Sequence, residues 1–171
     1  MTVRRVIVLP YTEKWKSDFE AIKNELKPAL EDLIVGIEHV GSTSVEGLSA
    51  KPCIDIDVVI RDDSVLEAVI AALASIGYTH EGDLGIRGRE AFRYENKPHL
   101  QTHHLYVCPR DSAELNRHLT FRDYLRTHPE AAARYGAVKE EAARLYPYDI
   151  DSYMAHKSPC IEMLYSLCGL I

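Results

Sequence analysis

Two carboxylates that lie two residues apart are the first feature of this sequence with chemical potential. Asp55 and Asp57 alternate with isoleucine and valine in the segment Cys53–Ile60, and residues two apart in a β-strand share one face. Carboxylates in an otherwise apolar strand are costly to bury unless they bind something. Mg²⁺ prefers carboxylate oxygens and keeps water and phosphate as its other ligands. The strand alone therefore leaves two possibilities, a metal site or a face exposed to solvent.

A turn of small residues, Gly41–Gly47, directly follows the apolar segment Ile34–Val40. A glycine lets the backbone approach a phosphate closely, and successive amides in such a turn form an anion-binding nest. An ordinary turn is the alternative, but Asp-x-Asp begins thirteen residues after Ser42. The combination favours a site for a metal-bound polyphosphate. Gly41 and the nearby donors are its candidate ligands: Ser42, Thr43, Ser44 and Lys51.

Adjacent histidines, His103 and His104, point to opposite faces of a strand. We expect His103 to be buried and hydrogen-bonded, because it is in register with apolar neighbours. His104 is expected on the face of the carboxylates, as a third metal ligand or a general base. The remaining histidines, including His118 and His128, are expected at the surface or in packing.

Basic residues recur in the C-terminal third of the chain. Arg122 and Arg126 lie four apart, on one face of a predicted helix, and Lys139 and Lys157 follow on later helices. Arginine and lysine facing a metal site would suit a triphosphate, so Arg122 and Lys157 are candidate nucleotide ligands. Solvated helix surface is the alternative for each of them.

The elements that must position these residues are strands in the middle of the chain and helices at both ends. Thr12 is predicted to cap a first helix, which Pro28 would end or kink. Asp63 or Ser64 is predicted to cap a second helix. The helices predicted beyond Ser112 are separated at His128–Pro129 and at Tyr146–Asp149. Strands are predicted at Val6–Leu9, Ile34–Val40, Cys53–Ile60, Ala91–Glu95 and Gln101–Val107, the last two as an antiparallel hairpin. This order favours a mixed or antiparallel sheet with helices packed on it.

Composition limits the classes of function. A chain of 171 residues suits one domain, 1–171, and a formal net charge of −6 argues against broad nucleic-acid binding. No apolar stretch reaches the roughly 20 residues that span a bilayer, so we expect no membrane partner and a cytoplasmic location. Four cysteines without a C-x-x-C pair are expected as free thiols in a reducing compartment: Cys53, Cys108, Cys160 and Cys168.

Four ordered sequence blocks resemble the GrpB family, which is placed in the nucleotidyltransferase superfamily. The blocks are Glu38–Val45, Ala50–Asp57, His103–Cys108 and Phe121–Glu130. The resemblance implies an α/β (α+β) fold with a nucleotidyltransferase-like mixed β-sheet flanked by helices and a helical C-terminal part. It assigns Gly41 and Ser42 to nucleotide phosphates, and Asp55 and Asp57 to metal. Two departures are Glu46 in place of a proline and Tyr106 in place of a histidine.

The function that the candidate site residues and the superfamily resemblance together favour is transfer of a nucleoside monophosphate from a nucleoside triphosphate to an unidentified small-molecule or macromolecular acceptor, with Mg²⁺ (or Mn²⁺) as cofactor. Superfamily enzymes commonly place a third acid on the later strand, and this chain has none there. That departure keeps a non-catalytic nucleotide-binding or regulatory module open. A metal-dependent phosphohydrolase that uses the histidines and aspartates, and a scaffold without ligands, are the further alternatives.

Overall fold

Five strands form one mixed sheet at the centre of residues 2–171, the part of the chain that this computed structural model describes. The helices are α1 (Lys14–Leu30), α2 (Leu66–Ala74), α3 (Ala113–Thr127), α4 (Pro129–Leu145) and α5 (Ile150–Leu167). The strands are β1 (Gly36–Val40), β2 (Ile54–Ile60), β3 (Tyr78–Gly82), β4 (Glu90–Tyr94) and β5 (His103–Pro109).

The strand order β1-β2-β5-β4-β3 makes β2 a central strand. β2 pairs with β5 in parallel, and the other three pairings are antiparallel. The predicted mixed sheet and the predicted β4–β5 hairpin are therefore confirmed. β3 lies where the sequence analysis placed no strand, and the predicted strand Val6–Leu9 makes only a single bridge, between Leu9 and Ala50.

One face of the sheet packs on α1 and α2. The alternating isoleucines of β2 are fully buried there, against the predicted apolar stripe of α1. Burying each such side chain contributes about 1.5–3 kcal/mol. Thr12 Oγ1 accepts a hydrogen bond from the Lys14 amide at 3.2 Å, as its predicted capping role requires. Pro28 lies inside α1, which continues to Leu30, and the cap before α2 is Asp62 rather than Asp63 or Ser64.

The opposite face of the sheet carries the two aspartates, and the C-terminal helices lie over it. α3 ends at Thr127 before Pro129, and α4 and α5 are separated at Tyr146–Asp149, as predicted. A second apolar cluster joins these helices to the turn after β1, through Val45, Leu48, Leu125, Tyr135 and Leu164. None of the helices described in residues 2–171 is long and apolar enough to cross a membrane.

Candidate functional site

A cleft of about 300 Å³ opens between the aspartate face of the sheet and helices α3, α4 and α5. The turn after β1 contributes Gly41, Ser42 and Thr43 to its walls. The segment before β2 contributes Lys51, β2 contributes Asp55, and β5 contributes His104. The helices contribute mainly basic and aromatic side chains: Arg117, His118, Phe121, Arg122, Tyr135, Lys139, Tyr153, Lys157 and Tyr165. The cleft thus combines the Asp55 carboxylate with a larger number of cationic side chains.

The turn after β1 is in direct contact with Asp55. Antiparallel pairing places Val40 opposite Asp55, so that the next residue, Gly41, meets the carboxylate. Gly41 has φ +71°, and a Cβ added to it would collide with Asp55 Oδ2. Only glycine fits both the backbone conformation and the space. The two features that the sequence analysis paired are therefore in contact.

The three hydroxyls of this turn have different partners. Thr43 Oγ1 lies 2.9 Å from His39 Nε2, and Ser44 Oγ donates to the Gly41 carbonyl at 2.5 Å. Arg126 Nε donates to the Ser44 carbonyl at 3.0 Å. Ser44 does not line the cleft, whereas Ser42 and Thr43 do. Ser42 lines the cleft, where its side chain interacts with the Tyr135 hydroxyl, and Ser44 closes the turn.

Asp57 lies beneath the cleft, with a side chain that is 0% exposed. Its Oδ2 accepts a hydrogen bond from His118 Nδ1 at 2.6 Å, and its Oδ1 is buried without a partner among residues 2–171. His118 Nε2 lies 3.2 Å from Glu114 Oε1. His118 was expected at the surface or in packing, but α3 brings it into the cleft between two carboxylates. A contact from a helix to a distant strand leaves no local signal in the sequence.

Burial and the charge of the partner shift the pKa values of Asp57 and His118 in opposite directions. Burial raises the pKa of Asp57, and the hydrogen bond and charge of His118 offset part of that rise. Burial alone would lower the pKa of His118, but the hydrogen bond and charge of Asp57 outweigh it, so its pKa is raised. His118 therefore neutralises a carboxylate that has no other cation within hydrogen-bond distance in the described residues.

His104 of β5 lies on the aspartate face, as predicted, directly opposite Asp55 of β2. Its Nδ1 is 3.0 Å from Asp55 Oδ1, and this hydrogen bond raises the pKa of His104 to about 10. His103 faces the other way. It is buried, and it lies 2.8 Å from the Tyr78 hydroxyl and 2.7 Å from the Gln101 carbonyl, which confirms the packing role expected for it.

Three lysines converge on the cleft from three elements: Lys51 before β2, Lys139 on α4 and Lys157 on α5. Lys139 is 2% exposed, and burial together with the charges of Lys157 and Lys51 lowers its pKa to about 7. Burial and Lys51 lower the pKa of Lys157 to about 8. The lysine ion pairs of residues 2–171 are those of Lys14, Lys16 and Lys97. The cluster in the cleft therefore has no paired carboxylate.

Lys139 is a site residue that the sequence analysis did not select. It occupies the buried stripe of α4, at helical spacing after Ala132 and Tyr135 and before Ala142, and its ammonium lies 4.4 Å from the Tyr135 ring centroid. A lysine at a core position of an amphipathic helix is the signal that would have identified it.

Arg122 lines the cleft but is already engaged. Its Nη1 donates to Glu38 Oε2 at 2.7 Å and to the His39 carbonyl at 3.2 Å, and its Nε donates to Asp123. It therefore ties α3 to β1 beside the site. The neighbours of Asp57 in the sheet are Glu38 on β1 and Tyr106 on β5. The acidic neighbour of Asp57 therefore comes from β1 and not from the later strand, where superfamily enzymes commonly carry a third acid.

Comparison with known proteins gives matches over nearly the whole chain. The family model described as "GrpB protein" matches residues 5–166. The UPF0157 protein YqkA of Bacillus subtilis is 35% identical over 159 residues, which cover 93% of this chain and 46% of the relative. A UPF0157 protein of Pseudomonas aeruginosa is 37% identical, over 94% of this chain and 66% of the relative. The glutamate-rich protein GrpB of Alkalihalophilus pseudofirmus is 32% identical, over 92% of each chain.

Solved structures extend the comparison to the fold. The crystal structure of the conserved protein GrpB from Enterococcus faecalis superposes with a TM-score of 0.82 at 36% identity, over 95% of this chain and 96% of that one. The Cid1 poly(U) polymerase with bound MgGTP superposes with a TM-score of 0.54 at 12% identity, over 76% of this chain and 42% of that one. At 12% identity the similarity to Cid1, a nucleotidyltransferase, shows a shared fold.

Proposed function

This chain belongs to the GrpB family, and from that premise and the geometry of its cleft we propose that it is a metal-dependent nucleotidyltransferase. It would transfer a nucleoside monophosphate from a nucleoside triphosphate to an unidentified acceptor. The observation that carries the proposal is the contact of Gly41–Ser42 with Asp55 in a cleft that also holds three lysines without carboxylate partners.

The carboxylates fit a divalent cation of the Mg²⁺ or Mn²⁺ class. Asp55 lines the cleft, and the buried Asp57 Oδ1 lacks a hydrogen-bond partner among residues 2–171. A cation held by Asp55 and Asp57 would give this oxygen a partner. Such an ion would neutralise phosphate charge and lower the pKa of an attacking hydroxyl. Carboxylate oxygens are the ligands that it prefers.

The chain's own residues would orient the triphosphate. The Ser42 hydroxyl and the amides of the turn would donate to phosphate oxygens, because glycine permits their close approach. Lys51, Lys139 and Lys157 would face the outer phosphates and offset the charge that develops on a pyrophosphate leaving group. Arg122 would keep α3 at a fixed distance from β1 through Glu38, so its effect on the ligand is mainly positional.

The test is to titrate ATP, GTP, CTP and UTP with Mg²⁺ or Mn²⁺, and then to follow α-labelled nucleotide in the presence of metabolite extract and RNA as acceptors. Asp55→Asn should weaken metal-dependent binding by at least about tenfold, which is 1.4 kcal/mol. The control is Asp63→Asn, because Asp63 is an exposed acid that does not line the cleft, and this variant should bind like the wild type. If no nucleotide binds, or if both variants bind equally, the proposal is wrong.

Nucleotide binding without turnover is the second candidate, and the His118–Asp57 contact favours it. A carboxylate that is fully buried and already paired must exchange His118 for a metal ion before it can take part in catalysis. Metal-dependent binding with neither label transfer nor pyrophosphate release would support this candidate. Release of orthophosphate instead would indicate a phosphohydrolase.

A further inference from the structure

Cys53, Asp55 and His104 direct a sulfur, an oxygen and a nitrogen toward one point at the edge of the cleft. Ligand atoms of the three side chains all lie within 4.8 Å of one another. We propose that they bind one divalent ion of the zinc and cobalt class, at a position separate from the Asp55–Asp57 pair.

The sheet explains why these three side chains meet. Cys53 and Asp55 are two residues apart and therefore share a face of the β2 segment. The parallel partner β5 places His104 directly opposite Asp55. Cys53 and Asp57 lie on opposite sides of Asp55 along the chain, so the new set extends away from Asp57 and His118.

The two oxygens of Asp55 face different neighbours, which allows one carboxylate to serve both positions. Oδ1 is 3.0 Å from His104 Nδ1, whereas Oδ2 lies against Gly41. Oδ1 is thus the oxygen available to the ion proposed here. Oδ2 remains on the side of the turn at Gly41–Ser42.

The donor set selects the class of metal. Thiolate and imidazole suit zinc and its neighbours in the first transition series, whereas Mg²⁺ prefers oxygen ligands alone. Three protein ligands also leave the fourth tetrahedral position open, as in catalytic rather than structural zinc sites. All three residues line the cleft, so that position faces the space where a nucleotide phosphate would bind.

Metal binding has a definite proton balance at these atoms. The Cys53 thiol must lose its proton to become a ligand, and the proton between His104 Nδ1 and Asp55 Oδ1 must leave as the ion takes its place. A phosphate contact at the open position rests on the proposed function. Binding of the ion itself does not depend on that function.

The experiment is a Co²⁺ titration of the metal-free protein in the absence of nucleotide, followed by absorption spectroscopy. The expected result is a thiolate-to-cobalt charge-transfer band that Zn²⁺ abolishes and millimolar Mg²⁺ does not. Cys53→Ser should remove this band. The matched control is Cys168→Ser, which changes the other half-buried thiol and should keep it.

His104→Gln provides a second variant, because the His104 side chain is 58% exposed and its replacement should not disturb folding. It should weaken Zn²⁺ binding by at least about tenfold, which corresponds to 1.4 kcal/mol. A wild-type protein without the band, or a band that persists in Cys53→Ser, would overturn the inference. Because nucleotide is left out, this result is independent of whether nucleotidyl transfer occurs.

Discussion

Replacing Lys139 by methionine should make the folded protein more stable and its binding of anions weaker. Lys139 is 2% exposed, and its pKa falls from 10.5 to about 7. That difference corresponds to about 5 kcal/mol of unfavourable free energy for the buried charge. Methionine keeps the length of the side chain but gives up the cation–π contact with Tyr135, worth about 0.5–2 kcal/mol. We expect a net gain of about 3 kcal/mol in the free energy of unfolding at pH 6.

The gain should depend on pH with a definite sign. Between pH 7 and 10.5 the unfolded chain keeps the Lys139 proton that the folded protein has lost, so the stability of the wild type rises with pH in this window. The advantage of Lys139→Met should be constant below about pH 7 and should shrink as the pH approaches 10.5.

Urea unfolding of both proteins at pH 6, 8 and 9.5 measures this difference. Lys27→Met is the control, because Lys27 is exposed on α1, and it should change stability by less than about 0.5 kcal/mol at each pH. Lys139→Met should also weaken tripolyphosphate binding by at least about tenfold, because it removes a charged donor. A variant that is less stable than the wild type at pH 6, or a difference that does not change with pH, would refute the reasoning.

Two further substitutions test the frame of the site. Gly41→Ala should destabilise the protein by about 2 kcal/mol more than Gly47→Ala in thermal or urea unfolding, since both have positive φ but only Gly41 lies against Asp55; equal losses would argue against that contact. His118→Gln should cost about 3 kcal/mol by leaving Asp57 without its cation. This loss of stability should be largest below pH 6.5 and should decrease as the pH rises through the raised pKa of His118. Urea unfolding at pH 6 and pH 9 measures the difference. A loss of stability that is the same at both pH values would contradict the pairing of His118 with Asp57.

Local pattern was enough to predict the central part of the fold. The alternation in β2 put both aspartates on one face, and the glycine after an apolar strand marked the turn that meets Asp55. Both features depend on neighbours in the sequence, where strand periodicity and glycine conformation apply directly. β3 was missed because its sequence, Tyr78–Gly82, is polar after Tyr78 and so lacks an apolar alternation, although the burial of its residues does alternate in the structure.

Contacts that depend on how helices pack could not be predicted in this way. His118 reaches Asp57 across 61 positions of sequence, and Lys139 joins Lys51 and Lys157 only when α4 and α5 lie over the sheet. Charge alone pointed to Lys51 and Lys157 as ligands and did not separate Lys139 from the other helical cations, because its place in the buried stripe of α4 follows from packing. Arg122 was chosen as a ligand, but its guanidinium is held by Glu38.

A crystal structure of the protein with a non-hydrolysable nucleoside triphosphate and Mg²⁺ tests the central claim most directly. The triphosphate should lie between the turn at Gly41–Ser42 and the lysines of the cleft, with phosphate oxygens within hydrogen-bond distance of Ser42 Oγ and Lys139 Nζ. A nucleotide bound elsewhere on the molecule, or a cleft that stays empty at saturating nucleotide, would contradict the proposed site.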